Sequence, residues 1–165
     1  MNEEGDERYW DDAYRRHGGA LLGYLRRLSR DGALAEEHLQ ETFERALHSP
    51  RRVPAAELRP WLYRIATNLV VDSARRRKRL AFVPFTGRET AVTLDLEGAE
   101  LVRRALQRIP TDQATALVLR LHEGFSRAEI CAIVGVTDEA LKSRLTRGRR
   151  NFIEVYRRLE RGLSG

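Results

Sequence analysis

The sequence predicts an all-α protein made of two small helical modules joined by a flexible linker, the second carrying a helix-turn-helix. Three observations lead there. Apolar residues recur at three- and four-residue spacing through most of the chain. Residues 81–97 lose that period and carry Pro84, Gly87 and several threonines. Ser126, Gly135 and Thr137 then punctuate two short periodic stretches with helix start and stop signals. The expected division is 1–80, a linker over 81–97, and 98–165.

The first helix is predicted from about Glu7 to Ser29, with Tyr14, Leu21, Leu22, Leu25 and Leu28 near 3.6-residue spacing, and Asp31-Gly32 breaks it. The second spans about Leu34 to Leu47, with Leu39, Phe43 and Leu47 on one side. Pro50 and Pro54 exclude regular helix over 49–54, because each lacks the backbone N–H that a helix needs. The third is expected to start near Pro60, a residue suited to a first turn, and to run into Arg75–Arg79. Leu58, Leu62, Ile65 and Leu69 are its buried stripe, and Arg64, Thr67, Asn68, Arg75 and Lys78 lie opposite.

The linker of 81–97, fully stretched, would reach about 55–60 Å, and relaxed only about 21–25 Å. Helices follow over about 98–108 and 111–123, the latter with Thr111 as its cap. Ser126-Arg127-Ala128-Glu129 is a capping box, Gly135 closes that helix in the left-handed conformation, and Thr137 caps the last one. On a wheel of the last helix Leu141, Leu145, Gly148 and Phe152 share the packed side. Glu139, Ser143, Thr146, Arg147 and Arg150 point away from it, with Lys142, Arg144 and Arg149 on the flanks.

Charge is distributed unevenly. The net is −4 over residues 1–50, +7 over 51–80, −3 over 81–100 and +4 over 126–165. Two basic zones separated by an acidic spacer suggest two contacts with one polyanion. Only Lys78 and Lys142 are lysines. This arginine bias suits phosphates and guanine edges, but genomic base composition is the weightier explanation. A buried stripe, a polar outer face and basic shoulders are what a helix needs to enter the major groove. Cations at a helix C-terminus also complement its dipole without any ligand, so Arg75–Arg79 alone identify nothing. Trp61 and Tyr63 are aromatics that stacking on unpaired bases would use, with Trp61 better placed for the core.

Catalytic chemistry finds no foothold. His17, His38, His48 and His122 form no metal-ligand pair, no cysteine cluster accompanies Cys131, and no glycine-rich phosphate loop is present. No catalytic residue, metal or cofactor is expected. No apolar run approaches the roughly 18 residues of a membrane span, and the acidic start has no apolar leader, so no membrane insertion and a cytoplasmic location are expected.

Two stretches resemble a known family. Ala35-Glu36-Glu37-His38-Leu39-Gln40-Glu41-Thr42-Phe43, then Pro60-Trp61-Leu62-Tyr63-Arg64-Ile65-Ala66-Thr67-Asn68-Leu69 and Asp72 with its arginine run, are similar to region 2 of the extracytoplasmic-function (ECF) sigma factors. Residues 105–152, with Glu123-Gly124-Phe125-Ser126, Gly135-Val136 and Leu141-Lys142-Ser143-Arg144-Leu145, are similar to their region 4. The resemblance implies binding to the clamp and flap of core RNA polymerase, promoter DNA as ligand, and an anti-sigma factor as a further candidate partner. It places Leu39, Gln40, Glu41 and Glu44 against the polymerase clamp, and Arg64, Asn68, Asp72, Arg75 and Arg76 on the minus-ten DNA. It gives the loop 48–56, with Arg51 and Arg52, to capture of a flipped base. Glu139, Lys142, Ser143, Arg144, Thr146, Arg147, Arg149 and Arg150 are then the residues facing the minus-thirty-five element. The chain departs from the family pattern at Glu37-His38, where Asp-Leu is frequent, and at Gly148, where alanine is usual and glycine costs about 1 kcal/mol. A free-standing helix-turn-helix regulator is the nearest alternative, and a helical adaptor for acidic proteins the next.

Overall fold

The computed structural model describes residues 3–80 and 97–163. Among them lie seven helices: α1 (Glu3–Leu28), α2 (Gly32–Leu47), α3 (Ala55–Leu80), α4 (Glu97–Arg108), α5 (Thr111–Leu121), α6 (Arg127–Val134) and α7 (Asp138–Leu163). Of the expected linker, only Glu97 falls within the described residues, as the first residue of α4.

The first three helices pack pairwise on one another, and α4–α7 form a second group closed around α5 and α7. Asp31 caps α2 by accepting the Leu34 N–H at 2.7 Å, which fixes the tight return from α1. The third helix begins at Ala55, five residues before the proline expected to open it. Pro60 is tolerated there because the missing N–H frees only the carbonyl of Ala56, an exposed residue that water can serve. Leu58, Leu62 and Leu69 are buried as the period predicts, Ile65 is partly buried, and Tyr63, Ala66 and Val70 widen that face. Thr67, expected on the opposite face, is buried instead, because its hydroxyl donates to the Tyr63 carbonyl at 2.6 Å and lies 2.8 Å from the Tyr24 hydroxyl. Thr111 does not cap α5 but is its first helical residue; Pro110 takes the cap position without a side-chain bond. A proline with its φ preset is sufficient to open the turn, so the hydroxyl is not needed.

The two groups do not stand apart. Helix α3 packs on α6 and α5, and α1 on α4 and α5. Leu21, Tyr24, Leu62 and Tyr63 from the first group belong to one continuous core with Leu119, Phe125, Ile130 and Leu141 from the second. Tyr14 and Leu47 share the apolar period of their helices, yet they are 53% and 54% exposed. Helical periodicity identifies an apolar face but not whether another part of the same chain covers it.

Candidate nucleic-acid interface

The sharpest local construction surrounds α6 and α7. The Ser126 hydroxyl accepts the Glu129 N–H at 3.1 Å, and the Glu129 carboxylate accepts the Ser126 N–H at 3.1 Å. These reciprocal bonds satisfy two donors that an eight-residue helix would otherwise leave open. Gly135 ends α6 with φ of 69°, a left-handed conformation that only glycine adopts at no steric cost. Thr137 Oγ1 then accepts the Ala140 N–H at 3.2 Å and opens α7. Across this turn Arg127 makes a forked pair with Asp138, one branch at 2.9 Å. The hydrogen bond from Arg127 holds the Asp138 carboxyl below the usual carboxylate range. Entry into α7 is therefore set by two caps, one glycine and one ion pair.

Beyond that turn, Leu141 is fully buried, Leu145 nearly so, and Phe152 packs on the core from the same side. Gly148 sits where α7 comes closest to α5: a Cβ there would lie 3.3 Å from Gln113 Cβ and from Leu117 Cδ1. Alanine there would be crowded, and Gln113, Leu117 or the helix itself would have to give by a few tenths of an ångström, which gives this departure from the family pattern a physical reason. Asn151 donates to Gln113 Oε1 at 2.8 Å and fixes the rotation of the helix. On the opposite face Glu139, Ser143, Thr146, Arg147 and Arg150 are all exposed, as the wheel predicts. The flanks differ. Arg144 is partly covered and lies 3.5 Å from Asp112. Lys142 approaches Asp138 at 3.8 Å. Arg149 stands at the rim of an apolar groove rather than among the outward-facing residues.

The second basic face lies on α3, where Arg64, Asn68, Asp72, Arg75 and Arg76 are exposed. Tyr63, considered for stacking on bases, is 1% exposed and packs between Tyr24 and Phe125, so it is not available to a nucleic acid. Trp61 is half-buried against the core. The preceding loop is anchored through Val53, whose side chain is buried and whose carbonyl accepts the Tyr9 hydroxyl at 3.2 Å. Arg51 and Arg52 project from this anchor toward Glu57 at 3.8 Å and Asp6 at 3.0 Å. His48 ends α2 with its Nδ1 2.7 Å from the Glu44 carbonyl. His38, where a leucine was expected from the family pattern, is buried. Burial, aided by Arg77 and Arg76, lowers its pKa against the opposing pull of Glu37 and Glu41.

Two apolar depressions accompany these faces. One, of about 570 Å³, lies along α1 and α2 and is lined by Tyr14, Leu22, Leu39, Phe43 and Leu47, with Gln40 and Glu44 at its margin. Leu39 is itself buried, so it contributes floor rather than a projecting contact. Gln40 donates to Glu44 at 2.9 Å along this margin, and elsewhere on α2 Arg45 donates to Glu41 at 2.6 Å. The other, of about 240 Å³, lies among α4, α5 and α7, with Leu106, Leu117 and Phe152 below and Arg27, His122 and Arg149 around it. This second depression was not anticipated from sequence. Its signal was present in Val102, Leu121 and Ile153, all large, apolar and exposed, on three different helices.

The Sigma-70 region 2 family matches residues 13–80 and the Sigma-70 region 4 family matches residues 99–152. The RNA polymerase sigma factor CarQ of Myxococcus xanthus is 33% identical over 95% of this chain and 94% of its own length. The ECF RNA polymerase sigma factor SigM of Mycobacterium tuberculosis is 31% identical over 97% of this chain and 83% of its own. Among solved structures, the sigma factor RpoE of Bartonella quintana, in complex with the anti-sigma factor NepR, superposes with a TM-score of 0.72. It shares 24% identity over 91% of this chain and 98% of that one. CnrH, in complex with the cytosolic domain of CnrY, gives 0.66 and 27% over 92% of this chain and 90% of that one.

Proposed function

The chain belongs to the ECF RNA polymerase sigma factors, and from that premise we propose how its surfaces divide the work. As a sigma factor it binds core RNA polymerase and directs promoter recognition for transcription initiation. Two matched regions in one chain set aside the free-standing regulator. We assign residues 1–80 to polymerase binding and the minus-ten element, 98–165 to the upstream element, and 81–97 to the connection between them.

The observation that carries the assignment is the contrast between the two faces of α7. The inner face is fixed by burial, by the close approach at Gly148 and by the Asn151–Gln113 bond. The outer face presents Ser143, Thr146, Arg147 and Arg150 without cover. A rigid helix whose outward side chains suit base edges and phosphates is what direct readout in a major groove needs.

Arg64, Asn68, Asp72, Arg75 and Arg76 on α3 are assigned to minus-ten DNA, with Arg51 and Arg52 in the base-capturing loop. Extruding a base costs a few kcal/mol of unstacking, so the receiving loop must be held firmly. Anchoring of Val53 by burial and by Tyr9 supports that role. The trough floored by Leu39, with Gln40 and Glu44 at its margin, is assigned to the polymerase clamp together with Glu41 of the same helix, and the groove at Val102, Leu121 and Ile153 to the flap. The complexes of RpoE with NepR and of CnrH with a cytosolic domain support an anti-sigma partner of the same class. No described helix is long and apolar enough to cross a membrane. The working place we infer is the cytoplasm, beside the polymerase, in a role without catalysis of its own.

Run-off transcription tests the reading. Core polymerase supplemented with the chain should initiate at a cognate promoter. Initiation should fail with Arg64→Ala/Asn68→Ala, while pull-down of polymerase persists. Loss of both together would place these residues in the polymerase contact instead.

A further inference from the structure

We propose that the first turns of α1, through Asp6 and Tyr9, take part in minus-ten recognition as positioning residues: they hold the loop 48–56 and aim Arg52. The proposal rests on the assignment of that loop to base capture.

The family match begins at Ala13, yet α1 starts at Glu3. Residues 3–12 therefore lie outside the part of the chain that the family describes. Asp6, Tyr9, Trp10 and Ala13 recur at three- and four-residue spacing and share one face of the helix. Ala13 is buried on that face, and Tyr9 and Trp10 pack against the core with their rings edge-on at 5.2 Å. The same face meets the loop between α2 and α3. The Tyr9 hydroxyl donates to the Val53 carbonyl at 3.2 Å, and the Asp6 carboxylate accepts from Arg52 at 3.0 Å.

A loop that contains Pro50 and Pro54 cannot stiffen itself with a regular ladder of backbone bonds. Local backbone bonds tie down its two ends: the Ser49 N–H donates to the Ala46 carbonyl at 3.2 Å, and the Glu57 N–H to the Pro54 carbonyl at 2.9 Å. Between those ends, the bond from Tyr9 fastens the backbone to a helix 44 residues earlier, beside the buried Val53 side chain. Asp6 acts on the next side chain along. A guanidinium carries five N–H donors in one plane, so a bond to Asp6 sets the plane in which the group meets a base edge. Ordering a long side chain on binding lowers affinity, and Arg52 is already held. A solvent-facing pair of this kind contributes little to folding. Its value is in placement, for a recognition geometry tolerates only about 0.5 Å.

Run-off transcription with core polymerase, on a promoter library randomised across the minus-ten element, tests the proposal. The variants are Asp6→Ala, Tyr9→Phe, Arg52→Ala and the Asp6→Ala/Arg52→Ala double variant. Glu7→Ala removes the same charge from the adjacent, exposed position and should behave as wild type. Melts and polymerase pull-down run in parallel. Asp6→Ala and Tyr9→Phe should each relax preference at one minus-ten position by about 2- to 5-fold, with polymerase binding retained. In the Arg52→Ala background Asp6→Ala should add nothing, because it acts through that side chain. Unchanged preference in Asp6→Ala and Tyr9→Phe, while Arg52→Ala alters it, would overturn the proposal and leave base capture standing. An equal loss on every promoter variant with a lowered melt would also overturn it, by reducing the brace to a stability contact. If Arg52→Ala itself leaves all preferences unaltered, the base-capture reading falls and the proposal with it.

Discussion

Arg147→Ala separates base reading from every structural duty of the recognition helix. Arg147 is exposed on the outer face, and no described ion pair or hydrogen bond would be lost with it. Folding stability should therefore change by less than about 0.5 kcal/mol. Bound to DNA, a forked contact to a base edge is worth about 1–3 kcal/mol of discrimination, or roughly 5- to 150-fold in affinity. Arg144, one turn earlier, is the contrasting case. It is partly covered and paired with Asp112, so Arg144→Ala lowers the melting temperature as well and its DNA effect is mixed with destabilisation. The assay is competitive holoenzyme binding on a promoter library randomised across the upstream element, with thermal melts in parallel. Arg147→Ala should relax preference at one upstream position while the melt is unchanged. Equal loss on every sequence would refute base contact and leave Arg147 on the phosphate backbone. No loss at all would remove the outer face of α7 from the DNA.

Three other outcomes follow from the geometry. Arg149→Ala should weaken all promoter variants alike and reduce the log–log salt slope by about one unit if the groove rim still reaches a phosphate; an unchanged slope would give Arg149 to the protein partner of the groove. Ser126→Ala removes one half of the capping box and should cost about 1 kcal/mol, a drop of about 2–4 °C in a scanning melt of a chain this size. For His38 the folded-state pKa is lowered, so the unfolded chain binds more protons below its unfolded pKa of about 6.5. Stability should fall as pH is lowered through that value toward the folded pKa, and His38→Leu should flatten the fall in denaturant midpoints between about pH 7 and pH 5. An equally steep fall in the variant would assign the effect to other groups, His17 among them.

How far sequence carries the structure depends on whether a contact is local. The cap at Ser126, the turn at Gly135 and the two faces of α7 are decided within a few residues, so they can be read directly. The start of α3 was misplaced because Pro60 imitates a first-turn proline, although its lost bond falls on an exposed carbonyl. Tyr14 and Leu47 keep the period of buried residues but are exposed, because periodicity is blind to what lies opposite. Tyr63 was considered for bases because its true neighbours, Tyr24 and Phe125, are remote in the chain. The contact between the two helical groups and the groove among α4, α5 and α7 are illegible for the same reason: each takes residues from helices far apart in sequence, and no short pattern records such a meeting.

Gly148 has a consequence for promoter choice that no inventory of DNA contacts would contain. The 26-residue α7 is a rod about 39 Å long, and this glycine is the point on which it rests against α5. A methyl group there would act as a shim. Lifting the rod by a few tenths of an ångström, with Leu141 held in its socket about 10 Å away, tilts it by about two degrees. The side chains assigned to base edges would then be displaced by a good part of the roughly 0.5 Å tolerance within which a recognition geometry holds. The aim of this helix is calibrated by an absent side chain, in the manner of a bearing surface, at a position that never meets DNA.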